Sequence, residues 1–121
     1  MHIQFAELPV LNQERAKKFY IDNFDCEIAA ETTMGMDDWR WIELAFKGSE
    51  TTLHFLKRKD DKPSEGPVLV LVDDDVEMTA KTLKSRSVEI VTEPQEAPYK
   101  PGCTVAEFRD SEGNLIVLSS K

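Results

Sequence analysis

Short runs with the apolar and polar pattern of strands flank one helix-like segment in each half of the chain. In the first half, residues 3–10 (IQFAELPV) and 26–33 (CEIAAETT) have the pattern of strands. Residues 40–57 (RWIELAFKGSETTLHFLK) form two further strand-like runs around a turn that contains Gly48. The pattern therefore predicts the order strand, helix, strand, strand, strand. Residues 34–38 are a predicted loop, and we expect its two methionines to be exposed: Met34 and Met36.

The second half of the chain repeats this order. Residues 67–72 (PVLVLV) and 88–92 (VEIVT) have the composition of strands and are separated by a helix-like segment. Residues 103–119 predict a hairpin, because two apolar runs flank a turn-forming tetrad that ends in Gly113. Residues 93–102 (EPQEAPYKPG) contain several prolines and are predicted to form a loop.

Each predicted helix begins at a residue whose side chain can cap it. Asn12 is the predicted N-cap of a helix that runs to about Asn23. Asp74 is the predicted N-cap of the second helix, and Glu77 follows it at the spacing of a capping box. The predicted buried stripes are Ala16, Phe19, Tyr20 and Phe24 in the first helix, and Val76, Ala80 and Leu83 in the second.

One charged segment separates the two halves. Residues 58–66 (RKDDKPSEG) contain proline and glycine and form the predicted linker. The chain is therefore predicted to be an α+β protein in which two tandem βαβββ modules, residues 1–57 and 67–121, make one domain over residues 1–121. Each sheet packs a helix on one face, so its opposite face must be covered or form a cleft.

Charge and composition narrow the possible partners. The 121-residue chain has a formal net charge of −8, with 40% hydrophobic and 31% charged residues. An acidic protein repels phosphate backbones and anionic lipids, so we expect neither nucleic acid nor a membrane as a partner. The N-terminus lacks the pattern of a signal peptide. We expect a cytoplasmic protein, with Cys26 and Cys103 as reduced thiols.

Three stretches carry a resemblance to a known family. Residues 8–10 (LPV), followed by Arg15 and by residues 19–20 (FY), look like that family's first strand and helix. Residues 106–114 (AEFRDSEGN) look like its aromatic-x-Asp-Pro-Asp-Gly-Asn turn, with serine and glutamate in place of the proline and the second aspartate. In this order the chain resembles the vicinal oxygen chelate superfamily, which includes glyoxalase I, bleomycin-resistance proteins and extradiol dioxygenases. The resemblance implies a paired-sheet half-barrel cleft between the modules and a homodimer.

The metal enzymes of that superfamily bind their metal at defined strand positions. The resemblance places these positions on Phe5, His54, Pro67 and Val117. Only His54 can bind a metal, whereas a catalytic site normally needs about three protein ligands. The usual metal centre is therefore expected to be absent. A shift of one residue would bring Gln4 into play, but it would also turn the apolar side of the strand around.

Strand alternation predicts which side chains face away from the helices. The side chains predicted to pack towards the helices are Ile42, Leu44, Leu53, Phe55, Ala106 and Phe108. Their neighbours in sequence then point to the opposite face, namely Trp41, Glu43, His54 and Glu107.

These polar residues have a functional and a structural interpretation each. His54 could bond a ligand, act as a general base or bind a metal, or it could be bonded to a neighbour such as Glu43. Glu43 and Glu107 could hold a ligand together, or they could be paired on a solvated face with Arg40 and Arg109.

The aromatic residues are ambiguous in the same way. An aromatic lining suits a planar or cationic ligand, and this interpretation is favoured for Trp41. Trp39 is interpreted as a plug of a dimer interface or a cap on the barrel. Tyr99, in the proline-rich segment, is interpreted as a surface residue, with a cover over the cleft as the alternative.

The favoured hypothesis is a metal-free protein that binds a small organic molecule in the cleft, as in the bleomycin-resistance branch. Its predicted lining is Phe5, Trp41, Glu43, His54, Leu69, Glu107, Leu115 and Val117. The alternative is a metal-dependent lyase, isomerase or dioxygenase of the same superfamily, with a divalent ion at a relocated site of His54, Glu43 and Glu107. A third hypothesis is an interaction protein whose cleft is filled.

Overall fold

The computed structural model describes residues 1–35 and 37–121. Met34 is exposed as predicted, and Met36 lies outside the described residues. The chain divides into two compact units, Met1–Asp61 and Lys62–Lys121, and this boundary falls within residues 58–66. No helix in the described part of the chain is long and apolar enough to cross a membrane.

Both units have the same order of elements. The first unit contains β1 (Phe5–Val10), α1 (Gln13–Asn23), β2 (Cys26–Thr33), β3 (Arg40–Phe46) and β4 (Thr52–Lys57). The second contains β5 (Pro67–Val72), α2 (Val76–Ser85), β6 (Ile90–Ala97), β7 (Lys100–Arg109) and β8 (Leu115–Ser119). The strand orders are β1-β4-β3-β2 and β5-β8-β7-β6, and the first pair in each sheet is parallel. The predicted α+β fold of two βαβββ modules is confirmed.

The first unit has a continuous apolar core on one side of its sheet. The fully or nearly fully buried strand residues on this side are Leu8, Val10, Ile42, Leu44, Leu53 and Phe55. Ala16 and Tyr20 of α1 are also fully buried, whereas Phe19 and Phe24 are only half-buried. The strand parity predicted for β3 and β4 is therefore confirmed.

Two contacts fix α1 at its N-terminal end. Asn12 is the N-cap, and its side-chain oxygen accepts a hydrogen bond of 3.0 Å from the backbone N–H of Arg15. The buried side chain of Gln13 extends the hydrogen bonding of β3: its Nε2 donates to the Arg40 carbonyl over 2.6 Å, and its Oε1 accepts from the Arg40 N–H over 3.0 Å. These bonds hold the start of β3, the strand that carries Trp41 and Glu43.

The sheet of the second unit carries buried residues on both faces. On the helix side these are Ala106, Phe108, Ile116 and Leu118, together with Val76, Ala80 and Leu83 of α2. On the opposite side, Cys103, Val105 and Val117 form a buried cluster with Ala97. The sequence did not predict a buried apolar cluster on this face of the second sheet.

The turn between β7 and β8 is closed by its first residue, Asp110. Oδ1 of Asp110 accepts hydrogen bonds from the backbone N–H groups of Glu112 (2.8 Å) and Asn114 (2.9 Å). Gly113 has a φ of 80°, which residues other than glycine rarely adopt. Asp110 is buried, so these bonds also satisfy its carboxylate.

Two local predictions in the second unit are wrong. The N-cap of α2 is Asp75, not Asp74, because Asp75 Oδ1 accepts the Met78 N–H over 3.0 Å. Glu77 is then one residue too early to complete a capping box.

Residues 93–102 do not form a loop, because β6 continues to Ala97 and β7 begins at Lys100. The prolines are accommodated by local irregularity. Pro94 lies where the β6–β7 register shifts, and Pro101 precedes the part of β7 that pairs with β8. Tyr99 lies in the turn between the strands and is exposed, as expected for a surface residue.

Candidate functional site

A row of three ionisable residues crosses the sheet of the first unit. In the parallel β1–β4 pair, Glu7 lies opposite His54, and in the antiparallel β3–β4 pair Glu43 lies opposite His54. Residues in register on neighbouring strands point to the same face of a sheet. The row therefore shares the face opposite the apolar core, with the imidazole between two carboxylates.

Three rings pack together beside this row. The rings of Trp41 and His54 are stacked, with centroids 3.8 Å apart and planes inclined by 30°. Phe5 contacts both rings, with centroids 5.7 Å from Trp41 and 5.1 Å from His54. Such aromatic contacts contribute about 0.5–1.5 kcal/mol each beyond their buried area. The structure thus brings Phe5, Trp41, Glu43 and His54, all predicted site residues, onto one surface.

Glu43 is held by two hydrogen bonds to its carboxylate. The Thr52 hydroxyl donates to Oε1 over 2.6 Å, and the Trp41 indole N–H donates to Oε2 over 2.7 Å. The bonds from Thr52 and then from Trp41 lower the pKa of the Glu43 carboxyl, against its burial, which raises it; the nearby His54 also lowers this pKa. Glu43 is therefore a fixed anion that also sets the orientation of the Trp41 ring.

The partner of His54 is Glu7, and not Glu43 as the sequence suggested. The distance between His54 Nδ1 and Glu7 Oε2 is 2.7 Å. The His54 side chain is 8% exposed, whereas that of Glu7 is 43% exposed. Glu7 was not among the predicted site residues, although its alternation with Phe5 along β1 places both on one face.

The predicted arginine partners of the two glutamates are not formed. Arg40 pairs with Glu14, and its Nε lies 3.4 Å from Oε2 of Glu31. Glu43 is bonded to Thr52 and Trp41 instead. Arg109 donates instead to the carbonyl groups of Ser64 (2.7 Å) and Gly113 (3.0 Å), which ties the turn before β8 to the start of the second unit.

The equivalent row of the second unit is mostly apolar. Val70, Val117 and Glu107 occupy the register positions that Glu7, His54 and Glu43 occupy in the first unit. The Glu107 carboxylate accepts one hydrogen bond of 2.6 Å, from the Thr92 hydroxyl. Val117 is buried, so this face combines one carboxylate with an apolar surface.

One predicted lining residue lies on the wrong face. Leu69 is in register with Ile116, on the helix side of the sheet, because the β5–β8 register shifts between Pro67 and Leu69. Val70 takes the place beside Val117 that was predicted for Leu69.

The residues present do not fit the superfamily's usual metal. Phe5, Pro67 and Val117 have no donor atom in their side chains, and Nδ1 of His54 is engaged by Glu7. Both Glu43 oxygens already accept hydrogen bonds. Among residues 1–35 and 37–121, no three His, Cys, Asp or Glu side chains are grouped so that they could hold a metal ion.

A cavity of about 550 Å³ lies at the N-terminal end of α1, away from the row. Trp39, Arg40 and Lys57 are among its lining residues. The Lys57 ammonium lies over the Trp39 ring, 5.8 Å from its centroid, and Arg40 is paired with Glu14. Lys57 and Arg40 are thus both engaged by other residues that line this cavity.

The two cysteines are free thiols in different surroundings. Burial, and then the charge of Asp25, raise the pKa of Cys26 to about 11. Hydrogen bonds with the side chains of Ser119 and then of Ser120 lower the pKa of the Cys103 thiol, which is itself buried in the apolar cluster of the second unit. A thiol that is buried or of raised pKa is a poor nucleophile, so neither cysteine adds to the site.

Comparison with known proteins agrees with this architecture. Residues 2–118 match the family model of the Glyoxalase/Bleomycin resistance protein/Dioxygenase superfamily. The chain belongs to this superfamily. The Bacillus subtilis (strain 168) protein YetH, which is uncharacterized, is 32% identical over 111 residues, or 90% of this chain and 89% of YetH.

Solved structures of the superfamily superpose over nearly the whole chain. TnmS3, an antibiotic binding protein from Streptomyces sp. CB03234, is 30% identical, with a TM-score of 0.80 over 99% of this chain and 95% of TnmS3. A superfamily member from Sphaerobacter thermophilus DSM 20745 is 22% identical, with a TM-score of 0.83 over 100% of this chain and 98% of that one. The second likeness shows the fold alone.

Proposed function

We propose that this protein binds a small organic molecule on the aromatic and acidic face of its first unit, without the superfamily's usual metal centre. The observation that carries the proposal is the Phe5, Trp41 and His54 ring cluster, bordered by the ordered carboxylate of Glu43. Small-molecule sites are lined mainly by hydrophobic and aromatic side chains, with a few fixed polar groups. The antibiotic-binding description of TnmS3 supports the same class of function.

Three features of this face describe the ligand. The stacked Trp41 and His54 rings favour a planar aromatic group. The carboxylates of Glu7 and Glu43, in a chain of net charge −8, favour a cation over an anion. Leu56 follows His54 on the same side of β4 and is exposed, so it extends the apolar part of the surface.

Calorimetric titration with two planar probes tests the proposal. Proflavine is an aromatic cation and 2-naphthalenesulfonate an aromatic anion, and we expect the protein to bind proflavine more tightly. Trp41→Phe should weaken proflavine binding and remove the associated change in tryptophan fluorescence. Trp39→Phe is the matched control, because Trp39 lies by the separate cavity, and it should retain both. Equal binding by the two tryptophan variants would refute the proposed site.

The ligand-binding roles of Glu107 and Val117 stay predictions. Glu107 presents a carboxylate held by Thr92, which is compatible with a polar contact to a ligand. Val117 is 8% exposed and can offer apolar contact only. Glu107→Gln tests the first role, because it removes the charge and keeps the size of the side chain.

We further propose that the protein is a cytoplasmic homodimer. Two-fold dimers are the commonest assemblies of soluble proteins, and the resemblance to the superfamily favours one here. Light scattering should give twice the chain mass of 13.8 kDa. A monomer at micromolar concentration would contradict the assembly and leave the fold untouched.

A further inference from the structure

We infer that Glu7 is a positioning residue that holds His54 in the tautomer with a proton on Nδ1, so that Nε2 accepts a hydrogen bond from the ligand. This inference rests on the proposed function and narrows its ligand class. It identifies the ligand as an aromatic molecule that carries an O–H or N–H donor on or beside its ring.

Glu7 and the imidazole of His54 are in direct contact. Oε2 of Glu7 lies 2.7 Å from Nδ1 of His54, and the two residues are paired directly across the parallel β1–β4 ladder. An ionised carboxylate can only accept hydrogen bonds, so the Nδ1 atom that faces it must carry the proton. In a neutral imidazole the other nitrogen, Nε2, is then an acceptor.

The other carboxylate of the row, Glu43, is engaged elsewhere. Glu43 uses Oε1 for the Thr52 hydroxyl and Oε2 for the Trp41 indole. Both Glu43 oxygens are thus engaged, and His54 bonds to Glu7 instead, even though Glu43 lies opposite His54 in the β3–β4 register. Glu43 therefore does not compete with Glu7 for the histidine proton.

The Nε2 atom of His54 has no hydrogen-bond partner in the described part of the chain. Among the described residues, none bonds to this nitrogen, since the hydrogen bonds of His54 are confined to Nδ1 and Glu7. The Nε2 atom is not completely buried, although it makes no hydrogen bond to a described residue. A ligand can therefore supply the missing donor.

The Nε2 acceptor lies among aromatic rings, which favours an aromatic ligand. The imidazole is stacked on Trp41 and bordered by Phe5, so a group that reaches Nε2 does so beside two aromatic rings. The acceptors beside these rings include Nε2 and the oxygens of Glu7, whereas the Trp41 indole and Thr52 hydroxyl donors are already bonded to Glu43. Such a surface rewards a donor on the ligand and disfavours an anion.

The experiment combines a binding ratio with a spectrum. The probes are 2-naphthol and 2-methoxynaphthalene, which share one ring system, and a methyl group replaces the hydroxyl proton in the second. At an alkaline pH at which the imidazole is neutral, we expect the wild-type protein to bind 2-naphthol about tenfold more tightly, the effect of about one hydrogen bond of 1.4 kcal/mol. The ¹⁵N–¹H correlation spectrum of the imidazole at alkaline pH should show His54 protonated on Nδ1.

Glu7→Gln is the informative variant. An amide can donate to Nδ1 or accept from it, so both tautomers of His54 become populated. The preference for 2-naphthol should then fall to within about twofold, while circular dichroism stays unchanged because Glu7 is a partly exposed side chain. Glu50→Gln is the matched control, because Glu50 faces the exposed His2 over 3.6 Å and lies outside the row. It should change neither the ratio nor the His54 signals, which His54→Gln identifies.

The possible results separate this inference from the proposed function. A neutral wild-type His54 with its proton on Nε2 and none on Nδ1 would overturn the inference, whichever probe binds more tightly. Equal affinity for the two probes would overturn it while upholding aromatic binding. An Nδ1–H tautomer without binding of either probe would uphold the role of Glu7 and count against both the proposed function and the ligand class.

Discussion

The row across β1, β4 and β3 consists of Glu7, His54 and Glu43, whereas the equivalent row across β5, β8 and β7 consists of Val70, Val117 and Glu107. The strand order and pairing of the two sheets are the same. Only the glutamate of the third position is common to both rows, and in each unit a threonine hydroxyl donates to it over 2.6 Å.

The difference lies in the side chains of otherwise equivalent backbone positions. In the first unit they place a buried imidazole between two carboxylates. In the second unit they form an apolar surface that continues into the buried cluster of Ala97, Cys103, Val105 and Val117. The repeat therefore provides the same backbone scaffold twice, but the histidine with its two carboxylates only once, because function depends on the site and not on the fold.

The largest expected effect tests what the two units share. Phe55 and Leu118 occupy equivalent helix-facing positions next to His54 and Val117, and both are almost completely buried. Phe55→Ala should lower the free energy of unfolding by about 3–5 kcal/mol and Leu118→Ala by about 2–5 kcal/mol, because each leaves a cavity. Urea unfolding measures both. A loss below about 1 kcal/mol in either unit would show that the two cores are not equivalent.

An exchange of equivalent residues tests what the units do not share. His54→Val gives the first unit the residue of the second and removes the stack on Trp41, so proflavine affinity should fall about tenfold. The reciprocal Val117→His should not create binding in the second unit, because its neighbour Val70 offers no carboxylate to orient the ring. Calorimetry on both variants decides the matter. Wild-type affinity in His54→Val would remove the basis of the comparison.

The two glutamates at the common position should differ in their contribution to stability. Glu43→Gln weakens two hydrogen bonds and should lower the free energy of unfolding by about 1–2 kcal/mol near pH 7, whereas Glu107→Gln weakens one and should cost about 1 kcal/mol or less. Thermal or urea unfolding at a fixed pH provides the comparison. Equal losses would indicate that the Trp41 indole contributes nothing to holding Glu43.

The Glu43 effect should also depend on pH in a defined direction. Its folded-state pKa is lowered, so its carboxylate contributes stability that is present above the unfolded-state pKa of about 4.3. This contribution is lost as the pH falls through the lowered folded-state pKa. The difference between wild type and Glu43→Gln should therefore shrink below about pH 4, and a difference that grows there would contradict the assignment.

The smallest expected effect is that of metal ions. Protein purified without chelator should contain far less than one equivalent of zinc, nickel, manganese or iron, and added zinc should not raise its melting temperature. A ligand that binds the native state must raise apparent stability, so an unchanged melting temperature indicates no site. A stoichiometric metal that is lost in His54→Ala would instead favour the metal-dependent lyase, isomerase or dioxygenase.

Much of the fold could be predicted because it depends on short-range patterns. The span of β2 and that of β5 follow directly from their runs of residues, and Asn12 and Asp110 act through their own neighbouring N–H groups. The failures lie where several local solutions compete. Asp74 and Asp75 can both cap a helix, and Asp75 is selected because the helix begins at Val76.

The segment at residues 93–102 shows the same limit. Its prolines predict a loop, but a bulge at Pro94 and the one-sided pairing of β7 at Pro101 allow the strands to continue. Whether a proline breaks a strand depends on whether the sheet needs a hydrogen bond from the N–H that proline lacks. That need is a property of the sheet and not of the residue.

The sequence by itself determined the two βαβββ modules and the face to which Trp41, Glu43 and His54 belong. That information is carried by the alternation of side chains along each strand, because a shift of one residue would expose the core. Only the tertiary structure decided which residues of that face meet. Glu7 reaches His54 across 47 residues of chain through the parallel register of β1 and β4, while Arg40 is taken by Glu14 and Glu31. Strand register sets those distances, and alternation along a single strand does not contain it.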